Sequence, residues 1–302
     1  MYYENVGLDL GTTYSKDSQG NLYPSGISEI IYPNCSTIVV DGKKYSMEQV
    51  SGIDININKG LNKNTRINFL YSLAQLSKYE EVVFGNVFVG LPPISWKNES
   101  TVEEFKKYLF PYENYETNVI YNGVEINIQV DNINILPEGS SAYYSKDMNY
   151  ERFEGRKVLI LDWGGLTVNE ILFENDNFID CHTDEMGILK TYQKMAQRIT
   201  TEYGKNINYL DMFSILRYGL YLDGKKIDIK SIIEPIALQT CEELKRSLEL
   251  RWSVSSIPFV PCVGASSITM INYLKHYIPQ AELTPNPQTI AVKGMVDMVE
   301  VI

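Results

Sequence analysis

Val6-Gly7-Leu8-Asp9-Leu10-Gly11-Thr12-Thr13-Tyr14-Ser15-Lys16 and, half the chain later, Val158-Leu159-Ile160-Leu161-Asp162-Trp163-Gly164-Gly165-Leu166-Thr167-Val168 are two versions of one design. In each, an apolar strand-like run ends in a carboxylate. Glycine and a hydroxyl residue follow, and the chain then returns to strand-like residues. Glycine at such a turn admits positive φ and lets backbone N–H groups approach an anion closely. The aspartate is suited to a hydrated Mg²⁺, an ion that keeps several waters and sits against phosphates. Two such hairpins facing each other would grip a nucleoside triphosphate from both sides.

Three further segments fall in an order that resembles the actin-like ATPases, the superfamily of actin, Hsp70, sugar kinases and bacterial filament proteins. Leu136-Pro137-Glu138-Gly139-Ser140-Ser141-Ala142 resembles the first connecting helix, Phe259 to Ser267 the adenosine turn, and Pro287 to Met295 the closing segment that returns to the first domain. The ParM-type plasmid-segregation actins are the nearest match within the superfamily. They share Leu91-Pro92 after a buried strand, Pro137-Glu138, and the Asn286-Pro287-Gln288 to Gly294 ending. The resemblance implies an α/β, actin/Hsp70-like (ribonuclease H-like) fold of two domains around one nucleotide cleft. Domain I is expected at 1–138 plus 284–302, with a small insertion near 35–65. Domain II is expected at 139–283, with a reduced insertion near 205–231.

A chain of 302 residues can bury a substantial core in two domains. Its net charge of −11 argues against direct binding to nucleic acid, which needs clustered Lys and Arg. A role on DNA would therefore pass through a basic adaptor. Cys35, Cys181, Cys241 and Cys262 are scattered without a C-x-x-C pair, which suggests neither a zinc site nor a disulfide framework and fits a reducing cytoplasm. The first residues lack the basic and apolar regions of a signal peptide. Ser253 to Leu274 carries no charge, but its prolines and Gly264 make it a strand, a turn and a helix start rather than a membrane span.

Local pattern sets the other elements. Asn21 to Pro24 and Ile30 to Tyr32 read as strands, and Ile38 to Tyr45 as a hairpin around Asp41-Gly42. Arg66 to Ser77 has helical spacing, Val82 to Val89 is a buried strand, and Val124 to Leu136 is strand-like. Thr101-Val102-Glu103-Glu104 has the form of a capping box for a helix ending near Phe110. Asp184 is placed to cap a helix running to Tyr203, with Gly204 as its stop, and Ile232 to Trp252 is helical despite Pro235. The paired hairpins suggest duplication of one fold unit.

The resemblance assigns roles residue by residue. Asp9 and Asp162 are the metal-side carboxylates, acting through water. Gly11, Thr12 and Thr13 would meet the β-phosphate, and Gly164, Gly165 and Thr167 the γ-phosphate. Lys16, seven residues after Asp9, falls where family members place a lysine on the phosphates. Glu138 is the expected water-activating residue, since phosphoryl transfer needs positioning and charge stabilisation more than covalent chemistry. Cys241 to Leu248 is similar to the Hsp70 helix that contacts the nucleoside, which would set Glu242 and Lys245 on the ribose and Arg246 on the base. Gly264 and Ala265 would approach the adenine or α-phosphate, although the family usually has a second glycine where Ala265 and Ser266 stand.

The function expected is a self-assembling filament protein that hydrolyses ATP or GTP with Mg²⁺ and segregates plasmid or other DNA through a DNA-bound adaptor. A sugar- or acetate-type kinase of the same superfamily and a non-hydrolysing actin-like scaffold are the alternatives.

Overall fold

A computed structural model describes residues 1–49, 61–77, 79–111, 115–148 and 150–301. The first sheet contains eight strands: β1 (Tyr2–Leu10), β2 (Tyr14–Asp17), β3 (Leu22–Pro24), β4 (Thr37–Val40), β5 (Lys43–Ser46), β6 (Glu81–Leu91), β7 (Glu116–Tyr121) and β8 (Val124–Pro137). The second contains β9 (Lys157–Trp163), β10 (Val168–Glu174), β11 (Asn177–Asp184), β14 (Val260–Val263) and β15 (Ala281–Leu283). Between β11 and β14 in sequence lies a separate hairpin, β12 (Leu220–Leu222) and β13 (Lys225–Ile227).

The two sheets share one plan. The first runs β3-β2-β1-β6-β8 before its extra strands β7-β4-β5, and the second runs β11-β10-β9-β14-β15. In each, three antiparallel strands form a meander, and the first of them continues into two parallel neighbours. The duplication suggested by the paired hairpins thus extends to strand order and direction. The hairpin at Ile38 to Tyr45 forms as β4 and β5, turning at Asp41 (φ 50°) and Gly42 (φ 76°), and it extends the first sheet through β7. The rest of the expected 35–65 insertion includes residues 50–60, which lie outside the described residues.

Central strands read as unbroken apolar runs because both of their faces are covered. Val158, Leu159, Ile160 and Leu161 of β9 are fully buried. Leu159 and Leu161 point into the core of α4 (Ile188–Tyr203), α6 (Lys230–Trp252) and α7 (Ala265–Leu274), whereas Val158 and Ile160 meet Tyr143, Phe153 and Ile290 on the other face. Behind the first sheet, α1 (Lys63–Leu76) is buried almost all round. The terminal helix α8 (Ile290–Val301) returns to β1, and Ser141 Oγ donates to its Ala291 carbonyl at 2.6 Å.

Several boundaries differ from the sequence reading. The short helix α2 (Pro93–Trp96) precedes α3 (Glu99–Leu109), whose cap is Asn98, accepting from the Ser100 and Thr101 amides, so Thr101 caps nothing. Helix α4 starts at Ile188 behind Gly187, and Asp184 instead ends β11. The connecting segment after Glu138 is a 3₁₀ turn, Ser140–Tyr144, rather than an α-helix. Ile30 to Tyr32 is exposed and outside any strand. Helix α5 (Met212–Tyr218) and β12–β13 occupy the region of the expected second insertion, and α6 passes through Pro235 in its second turn. No helix among the described residues is long and apolar enough to cross a membrane, and the uncharged stretch after Ser253 becomes β14 and the ten-residue α7.

Asp184 is diverted by a distant partner. Arg251 near the end of α6 donates to the buried Glu170 of β10 and, at 3.4 Å, to Asp184. Glu170 Oε1 and Asp184 Oδ2 are both buried with no donor among the described residues, which suits a proton held on Glu170 and shared toward Asp184. Burial pushes Glu170 up to about 9, the neighbouring Asp184 adds to this, and Arg251 opposes it. The folded chain therefore keeps a proton on Glu170 that the unfolded chain loses above the ordinary 4.5. The stability it contributes is full below that value and is lost as pH rises toward 9, at a slope approaching ~1.4 kcal/mol per pH unit. Urea midpoints measured from pH 6 to 9 should fall in the wild type and flatten in Glu170→Gln. Parallel profiles in the two proteins would contradict the shared proton.

Candidate nucleotide-binding cleft

Each glycine-rich turn is a hairpin between antiparallel strands whose register sets the cleft. Asp9 pairs with Lys16 across β1 and β2, and Asp162 pairs with Asn169 across β9 and β10. The first turn is buttressed by Ser25, whose Oγ donates to the Gly11 carbonyl at 2.6 Å and whose amide donates to the Thr13 carbonyl at 3.0 Å. The second closes with Gly164 N–H on the Thr167 carbonyl at 2.9 Å. Amides of Gly187, Ile188 and Leu189 at the start of α4 bind the carbonyls of Leu166, Gly164 and Gly165, so this helix start grips the turn. Trp163 packs beneath the hairpin, fully buried, with its indole N–H on the Met186 carbonyl at 3.2 Å.

The two hairpins face each other closely. A Cβ added at Gly165 would lie 3.4 Å from Thr13 Cγ2, and one at Gly139 would lie 2.7 Å from Asp162 Cβ. One cleft is lined by Asp9, Gly11, Thr12, Thr13 and Lys16 from the first hairpin and by Asp162, Gly164, Gly165 and Thr167 from the second. Glu138, Gly264 and Ala265 also line it, joined by Tyr14, Trp163, Leu166, Asn169, Ser266 and Gln288. The enclosed space is about 70 Å³. Ligand pockets usually measure about 300–1,000 Å³, so the cleft in this structure is closed to a ligand of that size. Glu242, Lys245 and Arg246 do not line this cleft. They lie on α6 in i,i+4 pairs, Arg246 with Glu242 at 2.6 Å and Lys245 with Glu249 at 3.8 Å.

Charge is concentrated at the centre. Lys16 Nζ lies 2.5 Å from Asp9 Oδ2. Burial alone would pull this ammonium down, but the carboxylates of Asp9, Asp162 and Glu138 outweigh it and hold Lys16 above the ordinary lysine range. A cation amid three carboxylates stays charged. No cluster of three His, Cys, Asp or Glu side chains suited to a metal occurs among the described residues. The oxygen donors of Asp9 and Asp162, both on the cleft, fit an ion bound through its own waters and a ligand's phosphates.

Glu138 is buried and held in place. Its amide donates to the Leu91 carbonyl, and Asn169 Nδ2 donates to its Oε2 at 2.9 Å. Asn169 Oδ1 accepts from Thr183 Oγ1 at 3.1 Å, and Thr183 accepts from the Ile94 amide of α2 at 3.2 Å. The sequence reading missed Asn169, although a signal existed: it follows Asp162 by the spacing that separates Lys16 from Asp9, so the duplicated hairpins make them counterparts. Gly264 (φ 85°) seats the turn between β14 and α7 against the second hairpin, where an added Cβ would meet the Trp163 carbonyl at 2.5 Å and Asp162 Oδ1 at 2.8 Å.

No protein-family model and no curated protein sequence matches this chain. Its structure is similar along its whole length to known ones. Ta0583, an archaeal actin homolog, superposes with a TM-score of 0.80 at 16% identity over 99% of this chain and 100% of that one, and it has also been solved in complex with ADP. A 15-stranded ParM filament from Clostridium botulinum gives 0.79 at 16% identity over 100% of both chains. The Alp12 filament gives 0.71 at 17% identity over 100% of this chain and 99% of that one. The resemblance read from the two hairpins therefore holds in three dimensions: this chain has the two-domain actin-like fold.

Proposed function

We propose that this chain is a nucleotide-driven filament protein that binds ATP or GTP with Mg²⁺ between its two hairpins, hydrolyses it, and assembles with copies of itself. The observation that carries the reading is the pair of matched hairpins facing each other with Glu138 between them. The ADP complex of Ta0583 supports nucleotide binding, and the ParM and Alp12 filaments support self-assembly. Transfer of the ParM role adds plasmid or other DNA segregation in the cytoplasm through a basic DNA-bound adaptor, in keeping with the acidic chain.

In this reading Asp9 and Asp162 would hold the metal through water, and a bound metal would supply charge neutralisation at the phosphates. Lys16 exchanges its contact with Asp9 for a phosphate oxygen. Backbone amides of Gly11 to Thr13 receive the β-phosphate, and those of Gly164 to Thr167 receive the γ-phosphate. Glu138, aimed by Asn169, orients the attacking water. Glu242, Lys245 and Arg246 are proposed for the ribose and base, which would lie beyond Gly264. Asp162→Ala should weaken Mg-nucleotide binding tenfold or more, ~1.4 kcal/mol, as measured by titration calorimetry. EDTA should produce a similar loss in the wild type and little in the variant. Unchanged affinity in Asp162→Ala would remove Asp162 from the site.

A further inference from the structure

Among the described residues, one groove carries Arg217, Lys226 and Lys230 beside the single carboxylate Asp228. Helix α5 and the β12–β13 hairpin enclose about 510 Å³, with Ile215, Ile229 and Ile233 among the lining and Arg217 and Lys226 at the edge. Arg217, Lys225 and Lys226 have no carboxylate within ion-pair distance among the described residues, unlike Lys205 and Lys230, which pair with Asp223 and Glu234. Phe213, Tyr218 and Tyr221 flank the groove and are 53%, 62% and 59% exposed. Arg217 lies over the Tyr218 ring, 5.3 Å from its centroid, and exposed aromatics beside cations that lack a carboxylate are the composition of a protein contact rather than of a solvated face.

A surface of opposite character lies on the first sheet. Glu80, Glu81 and Glu125 surround a second groove of about 510 Å³ at the starts of β6 and β8. They are exposed and have no cation within ion-pair distance among the described residues, and the amino terminus reaches only the Glu81 carbonyl oxygen. Tyr2, Tyr79 and Val124 are exposed in the same region. Because β1, β6 and β8 run parallel, this end is the one opposite the Asp9 turn and Glu138. Occupying it leaves the cleft free.

We infer that the α5/β12–β13 groove of one copy receives the Glu80, Glu81 and Glu125 surface of a second copy. The inference rests on the filament reading above and names its contact. The two surfaces differ and lie on different parts of the chain, so the contact is heterologous and propagates unless its rotation closes a ring. Opposite charge supplies register, encounter rate and sensitivity to salt, and the aromatics supply buried area.

Charge reversal tests it. Lys225→Glu with Lys226→Glu leaves a chain with two acidic surfaces, and Glu81→Lys with Glu125→Lys leaves one with two basic surfaces. Each variant alone should need at least tenfold more protein than the wild type to pellet with ATP. An equimolar mixture should pellet both, because alternating copies restore every contact, and the quadruple variant should pellet by itself. Nucleotide titration and a thermal melt identify any misfolded variant, in which case the quadruple variant decides. Wild-type assembly by either double variant, or a mixture and a quadruple variant that stay soluble while binding nucleotide, would overturn the contact. A wild type that never assembles would overturn the filament reading itself, not the choice of surfaces.

Discussion

Glu138→Ala is expected to slow nucleoside triphosphate hydrolysis by ~10²–10⁴-fold while leaving nucleotide affinity within a few-fold, the range for removal of a single group acting on water. The asymmetry follows from the geometry. Glu138 is buried at the end of β8 and fixed by Asn169, whereas the residues proposed for the phosphates and metal lie on the two hairpins. Deleting its carboxylate leaves both turns supported by Ser25 and by the α4 amides. Assembly should persist and disassembly should stall. Single-turnover phosphate release read beside equilibrium nucleotide binding separates the outcomes. A variant that loses binding together with turnover would make Glu138 a structural residue.

Gly264→Ala is expected to be the most damaging small substitution at the cleft. The residue sits at φ 85° and ψ 153°, a region essentially reserved for glycine, where any other residue costs ~1–3 kcal/mol. The added methyl would also meet the Trp163 carbonyl and Asp162 Oδ1 inside contact distance. Neither can give way easily: Trp163 is fully buried, and Val263 is paired with Asp162 across β14 and β9. The melting temperature should fall by several degrees. Mg-nucleotide affinity should fall by more than the stability loss accounts for, because the displaced group is Asp162. Wild-type melting and affinity in this variant would contradict the packing described.

What was legible in the sequence was local. Asp, glycine and hydroxyl residues in fixed order specify a hairpin within a dozen positions, so both turns, and the cleft that two of them imply, were readable from the residues themselves. The apolar run of β9 and the Asp41-Gly42 turn were readable for the same reason. Asp184 was misread because its partner Arg251 is 67 positions away, and an ion pair of that reach leaves no local pattern. The capping box at Thr101 lost to Asn98, whose side chain reaches two amides of the same turn. Glu138 came through family resemblance alone. Its hydrogen bond from Asn169 of β10 crosses from the second sheet to the residue that follows β8 of the first. The helix carrying Glu242, Lys245 and Arg246 formed as expected, but an E-x-x-K-R pattern satisfies itself by i,i+4 pairing and specifies nothing about the cleft.

In the proposed function, nucleotide state gates assembly. A γ-phosphate bridging Gly11–Thr13 and Gly164–Thr167 would hold the two halves together, and its loss would free them. Hydrolysis then alters the filament only by the difference in contact energy between the two states, and ~1.4 kcal/mol is already tenfold in affinity. Light scattering of the purified chain at tens of micromolar, with ATP, ADP and a slowly hydrolysed analogue, tests this most directly. Scattering that rises with ATP and decays, rises and persists with the analogue, and stays low with ADP is the predicted result. A chain that stays monomeric in all three, yet phosphorylates a sugar or carboxylate, would contradict it.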